Sequence, residues 1–170
     1  MTIAKAAILA AMEAYFGADS RRIDHARKVT AYAEELLKHE TGADPFVVVA
    51  AGILHDIGIR QAERKYGSAA GKYQEIEGPP VARDILTLLG VGPAHIDEIC
   101  EIIANHHSPG KIKTKNFAIL YDADWLVNIR DEYDIKDTTK LATIIDRVFL
   151  TESGKALARQ IYLGEAISKP

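Results

Sequence analysis

The sequence predicts an all-α fold in a single domain, and three observations support this. Apolar residues recur every three or four positions along most of the chain, and glycine and proline lie between the periodic segments. The chain has 170 residues, of which 48% are hydrophobic and 26% charged. This size and composition are typical of one soluble globular domain that can bury a substantial core.

The first two helices are predicted from this spacing. In the first, Gly17 is a suitable end, and the apolar positions are Ile8, Ala11, Met12 and Tyr15. The second follows Asp19-Ser20. Its inward face carries His25, Val29, Tyr32 and Leu36.

The segment "ADPFVVVAAGILHD" is predicted as a third helix. Asp44 is a suitable N-cap, and Pro45 fits the first turn. The three consecutive valines could indicate a strand. The helix is favoured because the apolar stretch is long, contains alanines and has no hairpin partner.

Five more helices are predicted up to the C-terminus, separated by Gly90, Gly92-Pro93 and Pro109-Gly110. They cover "PPVARDILTLLG", "PAHIDEICEIIANHH", "NFAILYDADWLVNI", "TKLATIIDRVFL" and "GKALARQIYL". The polar, glycine-containing segment 61–78 is predicted to be a mobile lid. The C-terminal helices are expected to pack on the core, and their apolar stripe would also suit a homodimer face.

Charge and cysteine content exclude several classes of partner and site. The net charge is −3 and no basic run is present, so we expect no nucleic-acid partner. No apolar run is long enough to span a membrane, and the N-terminus lacks the pattern of a signal peptide. Cys100 is the single cysteine, which excludes an internal disulfide and a thiolate metal cluster. A cytoplasmic location is expected.

Side chains that can bind metals occur in four separate segments. They are His25 in "IDHARKV", His55-Asp56 in "LHDIG", His106-His107 in "IIANHHSPG", and Asp122 with Asp124 in "LYDADWLVNI". One such residue alone is more often a core or surface residue, and His39 and His95 are assigned to the surface. Several inward imidazoles and carboxylates in one small domain favour a divalent cation. Helical spacing does not choose between Asp122 and Asp124.

The order His25, then His55-Asp56, then a late aspartate resembles the H…HD…D signature of the HD-domain metal-dependent phosphohydrolases. "HDIG" matches a subgroup of that family. "DADWLVNI" resembles the family's closing helix, in which the aspartate of an Ala-Asp-x-Leu pattern is the ligand, and this selects Asp124. The resemblance covers about residues 20–130, within one HD domain expected over 1–170, with 131–170 packed on the motif-bearing part.

The resemblance implies an all-helical fold with a metal ion held between helices. The implied ligands are His25, His55, Asp56 and Asp124. Mixed nitrogen and oxygen ligands suit Mn, Fe, Ni, Co, Zn or Mg.

A second metal ion is left open. The pair His106-His107 resembles the double histidine of two-metal branches. Those branches place another histidine near "GKYQEIEGP", where this chain has Tyr73, Gln74 and Glu75. Glu75 or Glu77 would have to replace the missing imidazole.

The implied activity is hydrolysis of a phosphomonoester or phosphodiester by metal-activated water, with a small nucleotide as the substrate suggested by the family. Asp56 is expected to be catalytic. His106 and His107 are candidates for general acid, general base or substrate anchor. Arg60 is a candidate phosphate contact.

Other basic and polar residues are expected to have supporting roles. Arg64, Lys65 and Lys72 are further candidate phosphate contacts, and Asp122 and Asn128 are expected to orient ligands. Two alternative functions are a di-iron oxygenase of the same family and a metal- or nucleotide-binding sensor without turnover.

Overall fold

The computed structural model describes residues 3–165, and within that range the chain forms nine α-helices and no strand. The helices are α1 (Lys5–Phe16), α2 (Ser20–Leu37), α3 (Pro45–Leu54), α4 (Ile59–Tyr66), α5 (Gly71–Leu88), α6 (Pro93–Asn105), α7 (Lys115–Glu132), α8 (Thr138–Val148) and α9 (Glu152–Leu163). The predicted all-α fold is confirmed. Residues 1–2 and 166–170 of the predicted domain lie outside the described range.

The helix starts follow from local capping chemistry. Asp44 is the N-cap of α3, where its carboxylate accepts hydrogen bonds from the backbone N–H groups of Phe46 and Val47, and Pro45 fills the first helical position. The valine-rich segment is therefore a helix, as predicted. Side chains cap four other helices in the same way: Asp19, Thr114, Asp137 and Thr151.

Helices α2, α3 and α7 form the centre of the molecule. Helix α2 packs against both α3 and α7, α3 also contacts α6, and α5 and α6 form a tightly packed pair. The interior between them is apolar, with Leu54, Ile103 and Phe117 completely buried. Helix α9 packs on α7 and α8. The three central helices thus bring residues that are about a hundred positions apart into contact.

The segment 61–78, predicted to be a mobile lid, forms parts of two helices joined by a short loop. Helix α4 occupies 59–66 and ends at Gly67, which adopts a left-handed φ of 63°. Helix α5 begins at Gly71, and Pro79 and Pro80 lie inside it rather than at its start. The two helices pack together, and Glu77 accepts hydrogen bonds from Lys65 and Tyr66. Polar side chains of this segment form hydrogen bonds with one another. The polarity and glycine content of the sequence do not predict these bonds.

No helix in the described range is both long enough and apolar enough to cross a lipid bilayer.

Candidate metal centre

Four of the predicted side chains converge between α2, α3 and α7. His25 lies on α2, His55 and Asp56 follow the end of α3, and Asp124 lies on α7. His25 Nε2 is 3.3 Å from His55 Nε2 and 3.4 Å from Asp56 Oδ2. Asp124 Oδ1 is 3.1 Å from His25 Nε2 and 3.3 Å from His55 Nε2. Two imidazole nitrogens and two carboxylate oxygens therefore face one small volume.

Hydrogen bonds behind these atoms set their orientation. His55 is fully buried, and its Nδ1 lies 2.8 Å from the carbonyl oxygen of Gly52. A carbonyl oxygen only accepts hydrogen bonds, so Nδ1 carries the proton and donates it. In the neutral ring, Nε2 then has a free lone pair. Asn128 Nδ2 donates to Asp124 Oδ1 over 2.9 Å. This outer contact is typical of groups that orient metal ligands, and Asn128 lies where the sequence predicts it.

The electrostatics of the cluster favour a bound cation. Burial opposes a charge on His55, but the carboxylates of Asp56 and Asp124 outweigh it and raise the His55 pKa to about 9. Burial also opposes ionisation of Asp56, yet the neighbouring imidazoles lower its pKa to about 2. The Asp124 pKa is lowered by the same imidazole charges, again against burial. The two carboxylates stabilise positive charge at this position. Without a metal ion that charge is a proton on His55, and a divalent cation would take its place.

A second donor group adjoins the first and consists of Asp56, His106 and His107. His106 Nδ1 lies 2.6 Å from the carbonyl oxygen of Ile103 and donates to it. The buried Nε2 of His106 has no aligned hydrogen bond to any described residue and lies 3.4 Å from Asp56 Oδ1. A buried acceptor without a hydrogen bond lowers the stability of the fold. The lone pair of Nε2 is therefore suited to bind a group from outside the protein, such as a metal ion.

Gln74 lies in the stretch where the resemblance to two-metal branches implies another histidine. Its Nε2 donates to the carbonyl oxygen of Ala69, which turns Oε1 towards His107 Nε2 at 2.9 Å. Glu75 accepts from the backbone of His107 and the hydroxyl of Ser108, and Glu77 is engaged by Lys65 and Tyr66. Neither glutamate replaces the missing imidazole, contrary to the option that the sequence left open.

Three of the four converging residues, His25, Asp56 and Asp124, line an open cavity of about 750 Å³, and His55 is buried behind them. Three basic residues of α2 line it: Arg21, Arg22 and Lys28. The sequence interpretation missed them, although Arg21 and Lys28 lie four positions before and three after His25 and therefore share its helix face. Arg22 also bonds Asp19 and Glu63.

The basic residues expected at the cavity lie elsewhere. The Arg60 guanidinium donates to the carbonyl oxygen of Tyr15 and lies 5.8 Å from the centre of the Tyr15 ring, so its predicted phosphate contact is not supported. Lys65 pairs with Glu77, and Lys72 lies over the Tyr73 ring. His107, by contrast, does line the cavity.

Asp122 has a structural role and does not orient a ligand. Its Oδ1 accepts from the backbone N–H of Leu150, and its Oδ2 accepts from the backbone N–H and the hydroxyl of Thr151. Burial raises its pKa to about 6 although these hydrogen bonds oppose the rise. The carboxylate thus joins α7 to the turn before α9, and Asp124 is the aspartate that faces the cluster.

This arrangement agrees with comparisons to known proteins. The family model "HD domain" matches residues 22–148, which include all four converging side chains. The chain belongs to the HD-domain family.

The HD-domain fold is also found in a solved structure. A crystal structure from an uncultured Thermotogales bacterium, described as a predicted HD superfamily hydrolase, has a TM-score of 0.67 and 24% sequence identity to this chain. The alignment covers 92% of this HD-domain chain and 84% of the bacterial one. No curated protein matches the sequence significantly.

Proposed function

We propose that this HD-domain protein is a phosphohydrolase that cleaves a phosphomonoester or phosphodiester of a small molecule. The observation that carries the proposal is the convergence of His25, His55, Asp56 and Asp124 beside a cavity whose lining includes three basic side chains of α2. Phosphate esters need both a ligand-held cation and further positive charge around the transferred group. A small nucleotide is the substrate class that family resemblance suggests.

The donor atoms fit a divalent transition metal ion. The group combines imidazole nitrogens from His25 and His55 with carboxylate oxygens from Asp56 and Asp124, a set that suits Mn, Fe, Co, Ni or Zn better than Mg. The hydrogen bond from His55 Nδ1 to Gly52 leaves Nε2 free to bind. When bound, such an ion lowers the pKa of a coordinated water and polarises a phosphoryl oxygen.

The remaining roles fall to residues around the ligands. Asn128 holds Asp124 through Oδ1. Arg21 and Lys28 line the cavity on the His25 face of α2, where their charges would balance those of a phosphate group. His107 also lines the cavity, and its hydrogen bond with Gln74 fixes the ring in position to contact the substrate.

A second metal ion is a further candidate, and the unpartnered Nε2 of His106 favours it. Asp56 would then be shared by the two sites, and His106 and His107 would help to hold the second ion. Metal analysis of the purified protein distinguishes the two cases. Two equivalents that fall to one in His106→Gln would support the second site, and one equivalent in both proteins would refute it.

The test of the proposed activity is phosphate release from a panel of nucleotides, sugar phosphates and an aryl phosphate, with added Mn, Co, Ni or Mg. We expect activity in the wild type and loss of both activity and bound metal in Asp56→Ala. The matched control is Asp84→Ala, since Asp84 is exposed on α5 and should leave activity unchanged.

Two outcomes would contradict this proposal. Equal activity in Asp56→Ala and the wild type would mean that the predicted metal ligands are not required for phosphate release. If the metal-loaded protein releases no phosphate from any ester, the function lies with the two alternatives. Two irons with a matching absorbance would then indicate an oxygenase, and saturable nucleotide binding without product would indicate a sensor.

A further inference from the structure

A second cavity adjoins the one at the metal ligands and has a different character. It measures about 600 Å³ and lies between α2, α7 and α9. Lys28, Val127 and Asp131 line both cavities, so the two spaces meet at these side chains. We call the second cavity the α2–α9 groove and define it by Tyr32, Leu126, Val127, Leu157 and Tyr162.

The groove offers a partly apolar surface that includes two tyrosine rings. Tyr32, Leu157 and Tyr162 are only partly buried against the core, so part of each side chain remains accessible. The Tyr162 hydroxyl donates to the carbonyl oxygen of Leu126, which holds the ring in one orientation across α7 and α9. Aromatic side chains with fixed orientation form flat contact surfaces at little entropic cost.

Four charged side chains also line this groove. Lys28 and Asp131 stand at the junction with the metal-ligand cavity, and Arg130 and Glu35 lie among the other lining residues. Small-molecule sites are typically mainly apolar with a few such polar groups. A molecule with an anionic end near Lys28 and a flat apolar body beyond it matches this distribution.

We propose that the α2–α9 groove binds the organic part of the substrate, and that this part is an alcohol carrying a flat aromatic ring. The inference rests on the proposed phosphohydrolase function. The phosphate would lie beside Lys28 and the ligand cluster, while the ring would lie between Tyr32 and Tyr162. The groove would therefore set the preference among phosphate esters, and the ligand cluster would hydrolyse them.

The test fills the groove without touching the ligand cluster. Ala31 lines the groove from an exposed position of α2, so Ala31→Trp places an indole in it. Ala14→Trp is the matched control, because Ala14 is exposed on α1 and does not line either cavity. The substrates are ethyl phosphate and 2-(1-naphthyl)ethyl phosphate, whose alcohol leaving groups are both primary.

We expect the wild type and Ala14→Trp to favour the naphthyl ester in kcat/KM by at least about tenfold. In Ala31→Trp this preference should fall about tenfold, while kcat/KM for ethyl phosphate stays within about twofold of wild type. Calorimetric binding of 2-(1-naphthyl)ethanol to the metal-free and zinc-loaded proteins gives a readout that needs no turnover. Ala31→Trp should weaken that binding by about tenfold.

The outcomes separate this inference from the proposed function. Phosphate release without a naphthyl preference, or with a preference that Ala31→Trp leaves unchanged, would overturn the groove assignment and leave the hydrolase intact. Alcohol binding that is lost only in Ala31→Trp, with no phosphate released from these two esters or from any ester of the panel above, would support the groove as a ligand site and refute hydrolysis.

Discussion

Asp122 and Asp124 lie two positions apart on α7 and serve different purposes. A two-residue step rotates a helical side chain by more than half a turn, so the two carboxylates leave the helix in nearly opposite directions. Asp124 faces the imidazoles of His25 and His55. Asp122 faces the turn before α9, where three donors reach it. The roles of the two aspartates thus differ because their side chains leave α7 in different directions, although the residue type is the same.

Asp122→Ala should lower the free energy of unfolding by about 3 kcal/mol and leave metal affinity unchanged. The reason is that the buried donors of Thr151 lose their acceptor, and each unsatisfied buried donor costs roughly 1–3 kcal/mol. Urea unfolding measures the first quantity, and metal titration by calorimetry measures the second.

Asp137→Ala is the control for this prediction, since Asp137 is an exposed N-cap of α8 with one hydrogen bond to Lys140. It should cost only about 1 kcal/mol. If Asp122→Ala costs no more than Asp137→Ala, or weakens metal binding as much as Asp124→Ala is expected to, the structural role of Asp122 is refuted.

At the level of the helices, one close approach holds the His55-Asp56 segment against α5. A Cβ atom on Gly58 would lie 2.5 Å from the backbone nitrogen of Gly78 and 2.7 Å from its Cα. Both contacts are with backbone, so a side chain could not be accommodated without moving α5. The glycine of "HDIG" therefore permits a helix contact only two residues from Asp56.

Gly58→Ala should lower the free energy of unfolding by about 3 kcal/mol, the usual scale of overpacking, and weaken metal binding through the displaced Asp56. Gly52→Ala is the matched control, because its nearest contact would be 3.4 Å from Thr30 Oγ1. In the last turn of α3 that change should be neutral or stabilise by up to about 1 kcal/mol. Equal stability of the two variants would refute the role of the Gly58–Gly78 contact.

For the whole molecule, the ligand cluster is a junction of the central helices. Its residues come from α2, from the end of α3 and from α7, and these helices share the core. The unfolded chain does not hold these side chains together. An ion that binds them therefore stabilises the folded state by mass action.

Addition of Mn, Co, Ni or Zn at a hundredfold excess over Kd should stabilise the protein by about 2.7 kcal/mol and raise Tm by roughly 8 °C. Thermal unfolding with and without metal measures the shift. Asp84→Ala should retain it and Asp124→Ala should lose it. The same shift in Asp124→Ala would mean that the metal binds elsewhere.

Local interactions explain how much of this protein the sequence determines by itself. Helix periodicity and capping depend on residues within a few positions, and these predicted α3 from Asp44 and Pro45 despite three valines. The candidate ligands His25, His55-Asp56 and Asp124 were indicated differently. Their short motifs resemble those of a known family, and the fold brings these side chains together.

Tertiary structure alone decided the features that depend on distant partners. Asp122 bonds residues 28 and 29 positions away, and Arg60 turns to Tyr15, 45 positions away. The early start of α5 depends on packing against α4 and α6, which overrides the preference of proline for a first turn. The orientation of a long side chain and the ends of a marginal helix depend on tertiary contacts. The spacing of residues along the chain does not reveal which contacts these are.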